Sequence, residues 1–138
     1  MKFNIKDIDH SLLKTRARAE ARLIFLKEST RRNRTEEEIV ATVMYGHAAE
    51  VYLIQHQGFT DDERPYKDVF DRNGEDVEAK VTESEEYVPY VLARCEKAAS
   101  EKWRKYPKKL YVFIGDRNTL DYHLYGTYSY NGTNFIKD

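Results

Sequence analysis

Lys67-Asp68-Val69-Phe70-Asp71-Arg72-Asn73-Gly74-Glu75-Asp76-Val77-Glu78-Ala79-Lys80 reads as two short strands around an Asn-Gly turn. Asn-Gly is the strongest two-residue hairpin signal, because both residues tolerate positive φ. Alternate residues of a strand face the same way, so Glu78 and Lys80 project from one face and Val77, Ala79 and Val81 from the other. The second face belongs to a core. The first sets an acid beside an amine, with further carboxylates across the turn.

An acid pair next to a lysine suits hydrolysis of phosphodiesters. That reaction needs a water made nucleophilic near neutral pH and charge stabilisation at phosphorus, and a divalent ion supplies both. Hard ions such as magnesium take oxygen ligands and keep several waters, so one or two carboxylates and the substrate phosphate suffice. Carboxylates held together without a cation repel, and one of them tends to stay protonated. A neighbouring lysine relieves that repulsion and can orient the attacking water.

Asp68, nine intervening residues and Glu78-Ala79-Lys80 resemble the PD-(D/E)XK signature of type II restriction endonucleases and phage-type resolvases. The wider pattern of Asp68, Asp71, Gly74, Glu78 and Lys80 is similar to the catalytic hairpin of small dimeric restriction enzymes. The resemblance implies an α/β restriction endonuclease-like core, a mixed central sheet flanked by helices. It further implies that Asp68, Glu78 and the Ala79 carbonyl bind magnesium, with manganese able to substitute, and that Lys80 positions or deprotonates the water. Pro65 stands three residues before Asp68 rather than next to it, a departure from the signature.

The turn leaves two registers open. A strict Asn73-Gly74 loop pairs Val69 with Glu78 and Asp71 with Asp76, which puts Asp71 on the Glu78/Lys80 face and Asp68 opposite. A loop one residue longer, or a bulge, returns Asp68 to that face. The resemblance favours Asp68, with Asp71 as second choice.

A further carboxylate comes from upstream. Thr35-Glu36-Glu37-Glu38 forms a capping box, so a helix starts there and runs to about Gln57, before Gly58. On that helix Val43, His47, Glu50 and Ile54 fall along one stripe. Glu50 therefore lies on an apolar face, where a charge is costly unless it is paired or metal-bound. The resemblance assigns it to the metal site; an arginine of the first helix is the other available partner. His47, one turn away, reads as a packed histidine.

The 138 residues form a single domain, long enough to bury about two-thirds of the unfolded surface. The lone Cys95 excludes an internal disulfide and reads as a packing residue. No signal peptide or membrane span is visible, so a cytoplasmic setting in a bacterial cell or phage-infected host is expected. Charge is segregated: residues 1–34 carry +6, residues 35–90 carry −11 and residues 91–138 carry +4. An acidic metal site between basic flanks suits an enzyme that must also hold a phosphate backbone. Arg31, Arg32 and Arg34 form one candidate nucleic-acid contact, and Lys102, Arg104, Lys105, Lys108 and Lys109 another.

The remaining elements follow from periodicity. A first helix covers about 9–31, with Leu12, Leu13, Ala19, Leu23, Phe25 and Leu26 among its apolar positions. A third runs from about 86 to 105 with Pro89 in its first turn. Residues 109–115 suit a strand buried on both faces, followed by strands at about 121–129 and 133–137 around Asn131-Gly132. Tyr122, Tyr125, Tyr128 and Tyr130 alternate with other residues as in a half-buried strand. The expected activity is a magnesium-dependent endodeoxyribonuclease leaving 5′-phosphate, acting on DNA as a homodimer. The alternatives are a structure-specific resolvase of branched DNA and a non-catalytic nucleic-acid-binding protein of the same fold.

Overall fold

Two capped helices open the chain. Asp9 accepts hydrogen bonds from the Ser11 and Leu12 amides and starts α1 (His10–Lys27). Thr35 and Glu38 complete a reciprocal capping box at the start of α2 (Glu36–His56). Satisfying these orphan donors is worth about 1 kcal/mol per cap. The computed structural model describes residues 1–28, 33–61, 69–103 and 105–138.

α1 and α2 pack through small residues. Ala17 and Ala21 meet Ile39 and Val40, and the alanines let the two backbones approach closely. The buried stripe of α1 is Leu13, Arg16, Ala17 and Ala21. Leu23 and Leu26, read among the apolar positions of this helix, are 42% and 53% exposed. They lie off the stripe that begins at Leu13, which advances by four residues to Ala17 and Ala21.

The strands are β1 (Lys2–Asn4), β2 (Thr60–Asp61), β3 (Val69–Phe70), β4 (Asp76–Thr82), β5 (Lys109–Gly115), β6 (Asp121–Tyr130) and β7 (Phe135–Lys137). They make one mixed sheet in the order β1-β6-β5-β4-β3-β2, with β7 also on β6. Among the described strands only β4 and β5 are parallel. A parallel pair needs a crossover, here α3 (Val88–Ser100). This helix starts later and ends earlier than expected: Glu85–Tyr87 is a 3-10 turn, and Pro89 stands in the first turn. β1 and β2 had no sequence signal, being three and two residues long.

The sheet is covered on both faces. Phe3, Val69, Val77, Ala79, Phe113 and Tyr122 pack toward α1 and α2. Leu110, Val112, Tyr128 and Phe135 pack with Val88 and Cys95 of α3. The expected doubly buried strand is therefore β5. Tyr122 and Tyr128 are buried on opposite faces of the sheet, because β6 shifts register against β5 between Val112 and Phe113 and simple alternation does not run through the strand.

Two tyrosines lock α2 onto the sheet. The Tyr45 hydroxyl donates to the Gly115 carbonyl at 2.6 Å, and the Tyr122 hydroxyl to the Tyr45 carbonyl at 3.0 Å. The lock depends on Gly115, where a Cβ would stand 2.7 Å from the Tyr122 ring. It holds the segment of α2 that carries His47 and Glu50. Among the described residues no helix is long and apolar enough to cross a membrane.

Candidate active site

The hairpin adopts the longer loop. Val69 pairs with Val77 and Phe70 with Asp76. The Asp71 amide donates to the Glu75 carbonyl, the Gly74 amide donates to the Asp71 carbonyl, and Gly74 takes a φ of +77°. Asn-Gly thus closes a three-residue turn, with glycine at the left-handed position that a bulge requires. Asp71 shares the strand phase of buried Val69, and its carboxylate accepts from the Asn73 and Glu75 amides. That carboxylate caps the turn. Asp68 lies outside the described residues.

Glu78 and Lys80 alternate with the buried Val77 and Ala79, as their spacing predicts. Lys80 Nζ lies 3.5 Å from Glu78 Oε1. The Glu78 charge, acting against burial, raises the Lys80 pKa and holds the amine as an ammonium. Near neutral pH Lys80 can therefore position a water or steady developing negative charge, while proton abstraction requires a neutral amine.

A cavity of about 650 Å³ opens where β4 passes between α2 and α3. Glu78 and Lys80 border it from β4, Glu50 and His47 from α2, and Glu20 from α1. β3 pairs only with Asp76 and Val77, so among the described strands β4 has a single neighbour, β5, from Glu78 onward. Beside this stretch of β4 a helix packed on one face shares a cavity with side chains of the other.

Glu50 is half-buried, its side chain 12% exposed, and it has partners. Its Oε2 accepts from Arg16 Nη2 at 2.7 Å, and its Oε1 lies 3.3 Å from His47 Nδ1. Arg16, fully buried, also binds Asp61. His47 Nε2 contacts Glu20. Burial alone would lower the His47 pKa, but hydrogen bonds with Glu20 and Glu50 outweigh it and raise the value to about 9. Glu20 is correspondingly held below the usual carboxylate range, chiefly by its hydrogen bond with His47. Asp61, Arg16, Glu50, His47 and Glu20 thus form a continuous chain of charged groups. The arginine of the first helix is the partner that a carboxylate on this stripe calls for.

Several of these groups carried no assignment from sequence. Arg16 and Glu20 had a readable signal, since they stand one turn apart beside Leu13 and Ala17 on a buried stripe. Arg94 of α3 and Arg117, between β5 and β6, border the same cavity, and only the fold brings them there. Arg117 stacks over the Tyr45 ring at 4.2 Å and pairs with Glu83. Burial pushes the Cys95 thiol upward, which makes it a poor nucleophile.

The basic clusters differ in their engagement. Arg34 binds Glu28 at 2.6 Å, and Lys109 donates to Ser129 at 3.1 Å and Asp138 at 2.5 Å. Lys102, Lys105 and Lys108 are exposed, and the last two border a separate cavity with Tyr106 and Phe70. Arg31, Arg32 and Arg104 lie outside the described residues. No group of three or more histidine, cysteine or acidic side chains able to hold a metal occurs among the described residues. Comparisons with protein-family models, curated proteins and solved structures found no match in any of the three.

Proposed function

We propose that this protein is a divalent-metal-dependent endodeoxyribonuclease of the PD-(D/E)XK kind, with a restriction endonuclease-like core. The observation that carries the reading is the shared cavity. Glu78 and Lys80 from β4, Glu50 from α2 and the guanidinium groups of Arg94 and Arg117 border one space. Carboxylates, an ammonium and arginines around one solvent-reachable volume suit a phosphodiester better than a neutral substrate.

Magnesium fits this donor set on limited terms. Such ions need only one or two protein carboxylates when substrate phosphate and waters complete the shell. Glu78, the Ala79 carbonyl and Asp68 would hold it. Glu50 would join only by loosening its bonds to Arg16 and His47, so this reading has the ion arrive with DNA. When bound, magnesium or manganese lowers the pKa of a coordinated water and draws charge from the phosphoryl oxygens. Lys80, held as a cation, orients the water for in-line attack and steadies the pentavalent phosphorus. The resemblance implies a 5′-phosphate product. Two strands of a duplex would be cut by a homodimer, and the exposed Leu23 and Leu26 of α1 offer an apolar seam for it.

The test is conversion of supercoiled plasmid to nicked and linear DNA, with magnesium and with EDTA. Cleavage should require the metal and vanish in Glu78→Ala and in Lys80→Ala, while DNA binding persists. Full cleavage by either variant would overturn the assignment. A second reading, a non-catalytic nucleic-acid-binding protein of this fold, is favoured by the full engagement of Glu50 with Arg16 and His47. It predicts DNA binding with no metal-dependent cleavage of any substrate.

A further inference from the structure

α3 carries a stripe that hydrolysis itself does not use. Tyr87 at its N-cap, Tyr90 and Arg94 are spaced by three and four residues, so they share one side of the helix. Arg94 borders the cavity together with Glu78 and Lys80, and Tyr87 and Tyr90 stand outside its lining, toward solvent. Tyr90 is 70% and Tyr87 50% exposed, and among the described residues neither ring has an aromatic neighbour. Arg94 has no carboxylate partner among the described residues, whereas Arg117 across the cavity is paired with Glu83. Nearby Glu85 accepts from the Tyr125 hydroxyl at 3.2 Å.

Open aromatic faces next to an unpaired guanidinium match one chemistry closely. A nucleotide offers a flat base for the ring and a phosphate for the arginine. In continuous duplex the base faces are covered by their neighbours, so a protein aromatic reaches them only where nucleotides are unpaired. We infer that the site takes DNA with unpaired nucleotides beside the scissile phosphate, Tyr90 and Tyr87 stacking the splayed bases and Arg94 holding the adjoining phosphate. This substrate class rests on the cavity being a nuclease site. A plain single strand and the arm of a fork share the chemistry, and separate probes distinguish them.

The experiment is fluorescence anisotropy with the full chain in EDTA, so that binding is read without cleavage. The probes are a labelled single strand, a forked duplex with single-stranded arms and a blunt duplex of the same length. The forked or single-stranded probe should bind about tenfold more tightly than blunt duplex, as one or two stacked bases would give. Tyr90→Ala should cost about tenfold on the preferred probe and leave blunt duplex nearly unchanged, whereas Tyr90→Phe should keep the preference. Arg94→Gln should weaken binding of the preferred probe and lower its salt slope by about one. Tyr90 is exposed, so melting temperature should not move and loss of folding cannot explain the result. Equal affinity for all three probes, or a uniform loss in Tyr90→Ala, would overturn the inference. Preference without magnesium-dependent cleavage would defeat the nuclease reading alone. Cleavage indifferent to Tyr90 and to strand pairing would defeat the stacking role alone.

Discussion

Replacing Arg16 by methionine tests the charged chain that supports the cavity. The guanidinium is fully buried and binds both Glu50 and Asp61, whose side chains are 12% and 25% exposed. Methionine fills similar volume without charge, so the change strands two carboxylates and leaves packing nearly intact. Breaking a buried pair from one side costs about 3–5 kcal/mol, because the remaining charge is desolvated without compensation. Glu50 keeps His47, and Asp61 reaches some solvent, so about 3 kcal/mol is the expected loss here. In a domain of this size that lowers Tm by roughly 10 °C. Urea unfolding followed by circular dichroism would measure it. Neutralising the partners as well, in Arg16→Met with Glu50→Gln and Asp61→Asn, should recover much of the loss, since apolar or neutral substitutes for a buried ion set are often tolerated. A single-variant loss below about 1 kcal/mol, or a combined variant less stable than the sum of its parts, would refute a coupled buried network.

The folded His47 pKa, raised from 6.5 to about 9, stabilises fully below pH 6.5 and loses that contribution as pH rises through about 9. Unfolding free energy should therefore fall across that window by up to roughly 3 kcal/mol, less because Glu20 is part-exposed, and His47→Gln should flatten the profile. Gly115→Ala drives a methyl against the Tyr122 ring at 2.7 Å and should cost about 1–3 kcal/mol in urea unfolding. Tyr45→Phe strands the Gly115 carbonyl and should cost about 1–2 kcal/mol by the same measurement. Glu50→Gln separates the two roles of that residue: a metal ligand predicts abolished plasmid cleavage in folded protein, and a purely structural carboxylate predicts lower Tm with cleavage retained at low temperature.

The parts of the fold that were legible in the chain are those governed by local rules. Thr35 with Glu38, the run from Leu110 to Ile114 and the alternation through Val77, Glu78, Ala79 and Lys80 each encode their structure within a few neighbouring residues. The hairpin lay at the limit of such reading. Asn73-Gly74 announces a turn, but its length was set by Asp71 capping the Asn73 and Glu75 amides, so Val69 faces Val77. That Glu50 needs a partner was legible because a charge on an apolar stripe is anomalous in any sequence. An arginine of the first helix was in view as its partner, but which one was harder to read, since the stripe that holds Arg16 is marked by small alanines rather than large apolar residues.

Sequence by itself determined which residues could carry charge chemistry and which strand face they occupy, because period and capping depend on near neighbours. Tertiary structure alone decided what meets them. Residues of α2 and α3 border one cavity beside β4, the Tyr45–Gly115–Tyr122 lock holds the His47 and Glu50 segment there, and Arg94 and Arg117 arrive from elements with no shared local signal. Those encounters depend on packing between segments distant in the chain, and no spacing within one segment encodes them.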